Sequence, residues 1–267
     1  MPIKKDETGK RWVEMELIVP GTPELVWQAI ATGPGYTAWF TPTMIDERVG
    51  GTIRFDIGEN GESKGEVTAW EPPFRFGYVE RDWAEGAPPL ATEITVTARS
   101  GDRCIVRMVH SLFASTDDWD DQMEGFEGGW TGFFEVLRLY LSHFAGMEAA
   151  VAFATTRVEA PHLDVWKQLI QVLGLAAANA GEERTTPQTP EQLSGTVERV
   201  EQGERQRYVL LLLNQPAPGI AQIGTYGVGD ATIASMTFYL YGDDAKQRAA
   251  AGEPKWRDWL GETFKRV

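Results

Sequence analysis

The sequence predicts an α+β fold in which a curved antiparallel sheet wraps one long helix, laid down twice along the chain with the second copy degenerate. Three observations predict it. Trp119, Met123, Phe126, Trp130, Phe133, Leu137, Tyr140 and Phe144 follow one another in alternating steps of four and three, which places all eight on one face of a helix. The residues before that stripe read as short alternating segments separated by turn signals. Finally, Val26-Trp27-Gln28-Ala29-Ile30 recurs as Val165-Trp166-Lys167-Gln168-Leu169, each time after a strand pattern and a proline-containing turn.

In chain order, residues 11–19 alternate as a strand with Val13, Met15 and Leu17 on one side. Thr22 is a suitable N-cap with Pro23 at the first helical position, so a helix is expected over 24–32. Tyr36, Trp39 and Phe40 suggest a second short helical turn before Pro42. A meander follows: 43–49, the Gly50-Gly51 turn, 52–57, a turn at Glu59-Asn60-Gly61-Glu62, 63–70, then 74–80 after Glu71-Pro72-Pro73. Residues 92–99 and 103–110 form a hairpin across Ser100-Gly101-Asp102. Ser115 or Thr116 then caps a long helix over 117–145, with Asp117, Asp118, Asp120 and Asp121 favourable to its dipole. Gly125, Gly128, Gly129 and Gly132 interrupt that helix at roughly 0.8–1 kcal/mol each. Close backbone approach, a bend, or room beside a cavity would each account for them.

The boundary between the copies is expected after Met147, giving domains at 10–147 and 148–267. In the second copy the Gly65-Glu66-Val67 segment is echoed by Gly195-Thr196-Val197, and 207–213, 220–225 and 231–241 read as strands. Residues 176–192 read as an irregular insert. Residues 254–267 close the chain with Trp256, Trp259, Leu260 and Phe264 at helical spacing. A closing helix so much shorter implies a second copy with a smaller cavity or none, acting as a packing partner.

Composition narrows the function. Net charge is −14, with 13 basic against 24 acidic residues up to Met147 and 12 against 15 beyond it. A surface this acidic repels phosphate backbones and argues against a nucleic-acid partner. No run approaches 18 consecutive apolar residues, so no membrane span is expected. The polar start Met1-Pro2-Ile3-Lys4-Lys5-Asp6-Glu7 and the single cysteine, Cys104, fit a cytoplasmic protein. The three histidines are scattered and form no metal-ligand pair. Gly-x-Ser-x-Gly, His-Glu-x-x-His, phosphate-loop and dinucleotide patterns are absent, so no catalytic residue, metal or cofactor is assigned.

Val49-Gly50-Gly51-Thr52-Ile53-Arg54-Phe55, then Gly65-Glu66-Val67, Trp70-Glu71-Pro72-Pro73-Phe74-Arg75, His110 and Gly128-Gly129-Trp130 together resemble the successive signatures of one family. It is the activator of heat-shock protein 90 ATPase homologue family, within the START-like (SRPBCC, polyketide-cyclase/lipid-transfer-like) superfamily. The resemblance covers about 11–145 and implies a helix-grip fold, hence tandem helix-grip domains for the whole chain. It further implies a small hydrophobic ligand held between sheet and long helix. Trp39, Phe40, Phe55, Trp70, Phe76, Tyr78, Met108, His110, Trp130 and Phe134 are the expected lining of that cavity. The same residues also fit an ordinary filled core. The resemblance allows two other roles: a protein-interaction module acting on a chaperone ATPase, or a cyclase- or aromatase-type enzyme. A chaperone or a second copy of the chain is accordingly the expected protein partner.

Overall fold

The computed structural model describes residues 3–58, 61–114, 119–204 and 206–265, and within its longest helix leaves out the side chains of 121, 122 and 124–128. The expected caps Ser115 and Thr116, with Asp117 and Asp118, lie outside the described residues, as does the side chain of Phe126. The chain divides into two compact units, 1–147 and 148–267.

In the first unit the elements run β1 (Lys4–Lys5), β2 (Lys10–Pro20), α1 (Pro23–Ala31), α2 (Gly33–Thr37), β3 (Thr43–Ile45), β4 (Thr52–Asp56), β5 (Glu62–Glu71), β6 (Arg75–Glu80), β7 (Leu90–Arg99), β8 (Arg103–Phe113) and α3 (Asp120–His143). The strands form one antiparallel sheet in the order β1-β2-β8-β7-β6-β5-β4-β3. The first long strand therefore pairs with the last, and α3 packs over β2 and α1. Alternation explains the strands: in β8, Cys104, Val106, Met108, His110 and Leu112 are buried while their neighbours are partly exposed. A register shift between Val67 and Ala69 marks a bulge in β5, a device that bends a strand and increases twist.

Two helix starts decide how the aromatic residues enter the core. Thr22 Oγ1 accepts from the Leu25 amide at 3.4 Å with Pro23 behind it, and Thr32 Oγ1 accepts from the Gly35 amide at 3.1 Å. A Cβ on Gly35 would lie 1.8 Å from the Gln28 carbonyl oxygen, so only glycine lets α2 cross α1 this closely. The crossing turns Tyr36 and Trp39 inward, and the Trp39 indole donates to the Ala29 carbonyl at 2.9 Å. Farther along, Arg11, 7 % exposed, binds Asp120 at 2.6 Å, and Lys5 reaches the same carboxylate at 2.7 Å. The start of α3 is thus anchored to β1 and β2 by charge.

The second unit runs β9 (Ala149–Val158), α4 (His162–Val172), β10 (Glu183–Thr185), β11 (Ser194–Gln202), β12 (Gln206–Gln215), β13 (Gly219–Val228), β14 (Ala231–Tyr241) and α5 (Ala245–Phe264). Its sheet is antiparallel, ordered β10-β11-β12-β13-β14-β9, so again the first strand pairs with the last. α5 packs on β9 and β14, while α4 packs on β13 and β14. The molecule is a tandem helix-grip fold with a degenerate second copy. The recurring pairs occupy like positions: Val26 and Trp27 in α1 are buried, as are Val165 and Trp166 in α4.

The closing helix of the second copy departs from expectation. It spans 20 residues against 24 in α3 and carries Pro254 inside it rather than at its start. Its upstream half is held by alanines, Ala245 and Ala249 being buried, which give too little apolar signal to be read from sequence. The irregular 176–192 region also contains the short strand β10.

Gly35→Ala is expected to lower unfolding free energy by about 3 kcal/mol, at the upper end of overpacking costs. Gly50→Ala, at φ +76° with nothing within 4 Å, should cost only about 1–2 kcal/mol. Urea titration of the two variants beside the parent measures both.

Candidate functional site

The concave face of the first sheet, covered by α3, gathers the expected lining residues. Trp39, Phe76, Tyr78, Met108 and His110 are fully or almost fully buried, Phe55, Phe134 and Trp130 nearly so, while Phe40 and Trp70 are half-buried. Trp130 is the hub. Its ring stacks on Phe40 with centroids 4.7 Å apart, lies 5.4 Å from His110, and touches Trp39 at 6.0 Å and Phe134 at 6.1 Å. From Phe40 the contacts run through Phe55 at 5.7 Å, then Tyr78, Phe76 and Trp70, each 5.6 Å from the last. Nine of the ten residues thus form one continuous ring network, and Met108 lies two residues before His110 on the inward side of β8.

The network has a centre that sequence reading left out. Tyr36 is fully buried and touches Trp39, Phe40, Phe55 and Phe76 at 5.0 to 6.4 Å. Its signal was present as Tyr36-x-x-Trp39-Phe40, but α2 is five residues long and starts Gly-Pro-Gly, so it offers no periodicity to assign faces.

A row of polar groups crosses the same face. Tyr78 in β6 is opposite Thr92 in β7, and Thr92 is opposite His110 in β8. Thr92 Oγ1 and His110 Nδ1 are hydrogen-bonded at 2.8 Å, both side chains almost wholly buried. Burial drives both tyrosine hydroxyls, Tyr36 and Tyr78, well above their ordinary titration range, the Glu80 carboxylate adding to it. Burial also raises the Glu80 carboxyl, which accepts a hydrogen bond from Ser63 that opposes the shift. Thr92 escaped notice because an inward threonine in a threonine-rich strand looks like surface. His110 itself is pushed down to about 3 by burial alone. It is therefore a neutral imidazole at physiological pH, a hydrogen-bonding group rather than a proton donor.

The glycines of α3 divide in meaning. Gly132 is buried, whereas a Cβ on Gly129 would meet nothing within 4 Å. Close approach does not explain Gly129, which is partly exposed. Gly125 and Gly128 lie outside the described side chains.

Other candidate groups have structural roles. Cys104 is buried and donates to the Gly21 carbonyl at 3.3 Å. His162 places its two ring nitrogens 3.1 and 3.0 Å from the Glu204 and Thr225 carbonyls, holding the start of α4. His143 is exposed. Among the described residues no three His, Cys, Asp or Glu side chains converge as a metal site, and no helix is long and apolar enough to cross a membrane.

In the second unit a cleft of about 350 Å³ opens between α5 and its sheet, against about 560 Å³ for the groove of the first unit, which leaves the expectation of a smaller cavity standing. The cleft follows from the position of α5: it rests on β9 and β14, and leaves the sheet face near the end of β12 uncovered. In the first unit a separate shallow groove lies at the β3–β4 edge, lined by Met44, Arg54 and Asp56, away from the ring network.

The burial of His110 has a measurable consequence. Its folded value of about 3 lies below the ordinary 6.5, so between these limits the unfolded chain binds a proton that the folded chain does not. Stability then rises with pH, and is lost as pH falls through that window. Glu80, shifted upward, acts in the opposite sense near the carboxylate range; Glu14, held at about 2 by Arg107 and Lys4, adds further loss below pH 4.5. Between pH 7.5 and 5 the His110 contribution should remove about 2 kcal/mol. Urea midpoints should fall across this range in the parent and stay nearly flat in His110→Gln.

Residues 20–142 match the model of the family described as activator of Hsp90 ATPase homolog 1-like protein. This span falls within the first unit, and the family resemblance of the sequence is borne out there. No curated protein matches the chain by sequence. Among solved structures, the di-domain ARO/CYC BexL from the BE-7585A biosynthetic pathway is similar at 16 % identity, covering 95 % of this chain and 93 % of its own, with a TM-score of 0.45. DynU16, a putative protein in the dynemicin biosynthetic locus, is 15 % identical over 95 % of each chain, with a TM-score of 0.43. The Aha1 dimer from Colwellia psychrerythraea is 22 % identical over 51 % of this chain and 98 % of its own, with a TM-score of 0.43.

Proposed function

We propose that the first unit binds a small hydrophobic molecule between α3 and the concave face of its sheet, with the His110–Thr92 pair as its polar anchor. The observation that carries this reading is the set of polar groups buried among rings on the inner face of the sheet. A core built only to pack has no need of an imidazole, a threonine and two tyrosine hydroxyls facing one another among rings. Apolar walls with a few convergent polar groups are the usual form of a small-molecule site. The neutral His110 can accept or donate one hydrogen bond to a hydroxyl or carbonyl of the ligand. The ten expected residues, with Tyr36 and Thr92 added, are the proposed lining.

Two measurements test the reading. Native mass spectrometry of freshly purified full-length chain should show a retained small molecule, and the emptied protein should take up Nile red saturably. His110→Leu, which removes the polar anchor while keeping most of the volume, should weaken uptake about tenfold. Thr92→Val, which removes the hydroxyl bonded to both His110 and Tyr78 at about 0.5–1.5 kcal/mol per bond, should weaken uptake at least about twofold. Uptake unchanged in both variants would refute the site.

The family description favours a second reading, action on a chaperone ATPase. It predicts that the full chain stimulates ATP hydrolysis by Hsp90; the absence of stimulation at saturating protein would dismiss it.

A further inference from the structure

Both sheets end in strands that are paired on one side only, and most of those edges are blunted. β3 and β10 are three residues long, and β10 carries Glu183 and Arg184. β2 is covered at its start by β1 and carries Glu14 and Glu16 beyond it. Shortness and charge are the usual defences of a sheet edge against pairing with another chain.

β9 lacks both along most of its length. It is ten residues long, stands last in the second sheet, and pairs with β14 alone. From Ala149 to Thr156 it holds no charged residue and no proline, and Arg157 follows near its end. The Phe153 amide marks the open side, because it donates to Glu253 Oε2 of α5 at 3.3 Å rather than to the ladder. Backbone groups alternate in direction along a strand, so those of Val151, Thr155 and Arg157 face the same way. Among the described residues these three have no backbone partner on that side.

The composition of this edge selects what can lie along it. Two copies of β9, laid antiparallel about a two-fold axis at Phe153, put Arg157 of one opposite Ala149 of the other. Each Arg157 then comes next to Glu148 of the second copy, opposite in sign, at both ends of the pairing. Val151 falls opposite Thr155, and Phe153 opposite its own symmetry mate, an aromatic cross-strand pair. No like charges face one another along the strands, although each chain carries −14 overall. The Phe153 amide exchanges its long bond to Glu253 for the Phe153 carbonyl of the second copy. Glu253 keeps its ion pair with Arg257 at 2.6 Å, so what approaches the axis is a neutral pair from each copy.

We infer that the outer edge of β9 is a dimerisation surface, through which two copies of this chain pair antiparallel and join their six-stranded sheets into one. The contact is isologous, so it closes at two copies. It draws on no residue of the ligand site proposed for the first unit.

Sedimentation velocity of the full chain over about a hundredfold range of concentration tests this, because a dimer dissociates by mass action. The chain should be a dimer at the upper end of the range. Thr155→Pro removes an outward N–H that has no partner in the single chain, and proline is tolerated on an edge. It should raise the dissociation constant at least about tenfold, with the melting temperature at the lowest concentration unchanged. Should that variant fail to fold, Val151→Lys places a charge on the same edge and carries the test. Facing residues of a hydrogen-bonded antiparallel pair have Cα atoms about 5.5 Å apart, within reach of a disulfide. Phe153→Cys should therefore cross-link into a dimer on mild oxidation, whereas Thr185→Cys on β10 should not; the native Cys104 is buried. A chain that stays monomeric across the range would overturn the proposal. So would a dimer unweakened in the folded edge variant, or one that cross-links at Thr185→Cys and not at Phe153→Cys.

Discussion

The first unit depends on the contact between Trp130 and the ring of Phe40. A curved sheet and a helix leave a gap between them that backbone cannot fill, and large side chains must either occupy it or frame it. Trp130 enters from α3, Phe40 from just beyond α2, and their stacking at 4.7 Å joins the two elements. Trp130 also rests near His110 of β8, so one indole ties helix, turn and sheet together. The close α1–α2 crossing at Gly35 exists to deliver this partner: without it Tyr36 and Trp39 could not reach the interior, and Phe40 would be displaced with them.

Much of the architecture was legible in the sequence because it obeys simple periods. The stripe of α3, in which Met123, Trp130, Leu137 and Tyr140 are buried, and the alternation of β2 and β8 each repeat long enough to reveal a buried face. The tandem plan was legible through two short echoes, one around Trp27 and Trp166 and one at Gly65-Glu66-Val67 and Gly195-Thr196-Val197. What escaped has physical reasons. Tyr36 sits on a helix too short to have a periodic face, and Thr92 is of a residue type equally at home outside. The upstream half of α5 buries only Ala245 and Ala249, whose burial comes from their small size rather than their hydrophobicity. The second cleft was invisible for another reason: it arises from where a helix rests on a sheet, a property that no residue type announces.

The two copies show how one plan diverges through its interior. In the first, rings from α2, β4, β5, β6 and α3 crowd the concave face, and polar groups are buried among them. In the second, alanines of β9 and aliphatic residues of β12 and β13 dominate the buried set, with Phe238 and Trp256 as a compact aromatic pair. Fewer rings and a smaller sheet leave less to fill the space beside the closing helix.

The pairing of first strand with last has a consequence for synthesis on the ribosome. β2 finds its partner only once residues 103–113 have emerged, and β9 only after 231–241, so the closing contacts span 83 to 103 positions in the first sheet and 74 to 92 in the second. Until then the earlier strands are held by hairpins with an open edge, the geometry most prone to pairing with a neighbouring chain. Vectorial delivery eases this, because the first copy has its complete set of strands and α3 while the second is still being translated. Exchange of homologous strands between the two copies is thereby suppressed by order of appearance, without any difference in affinity being required.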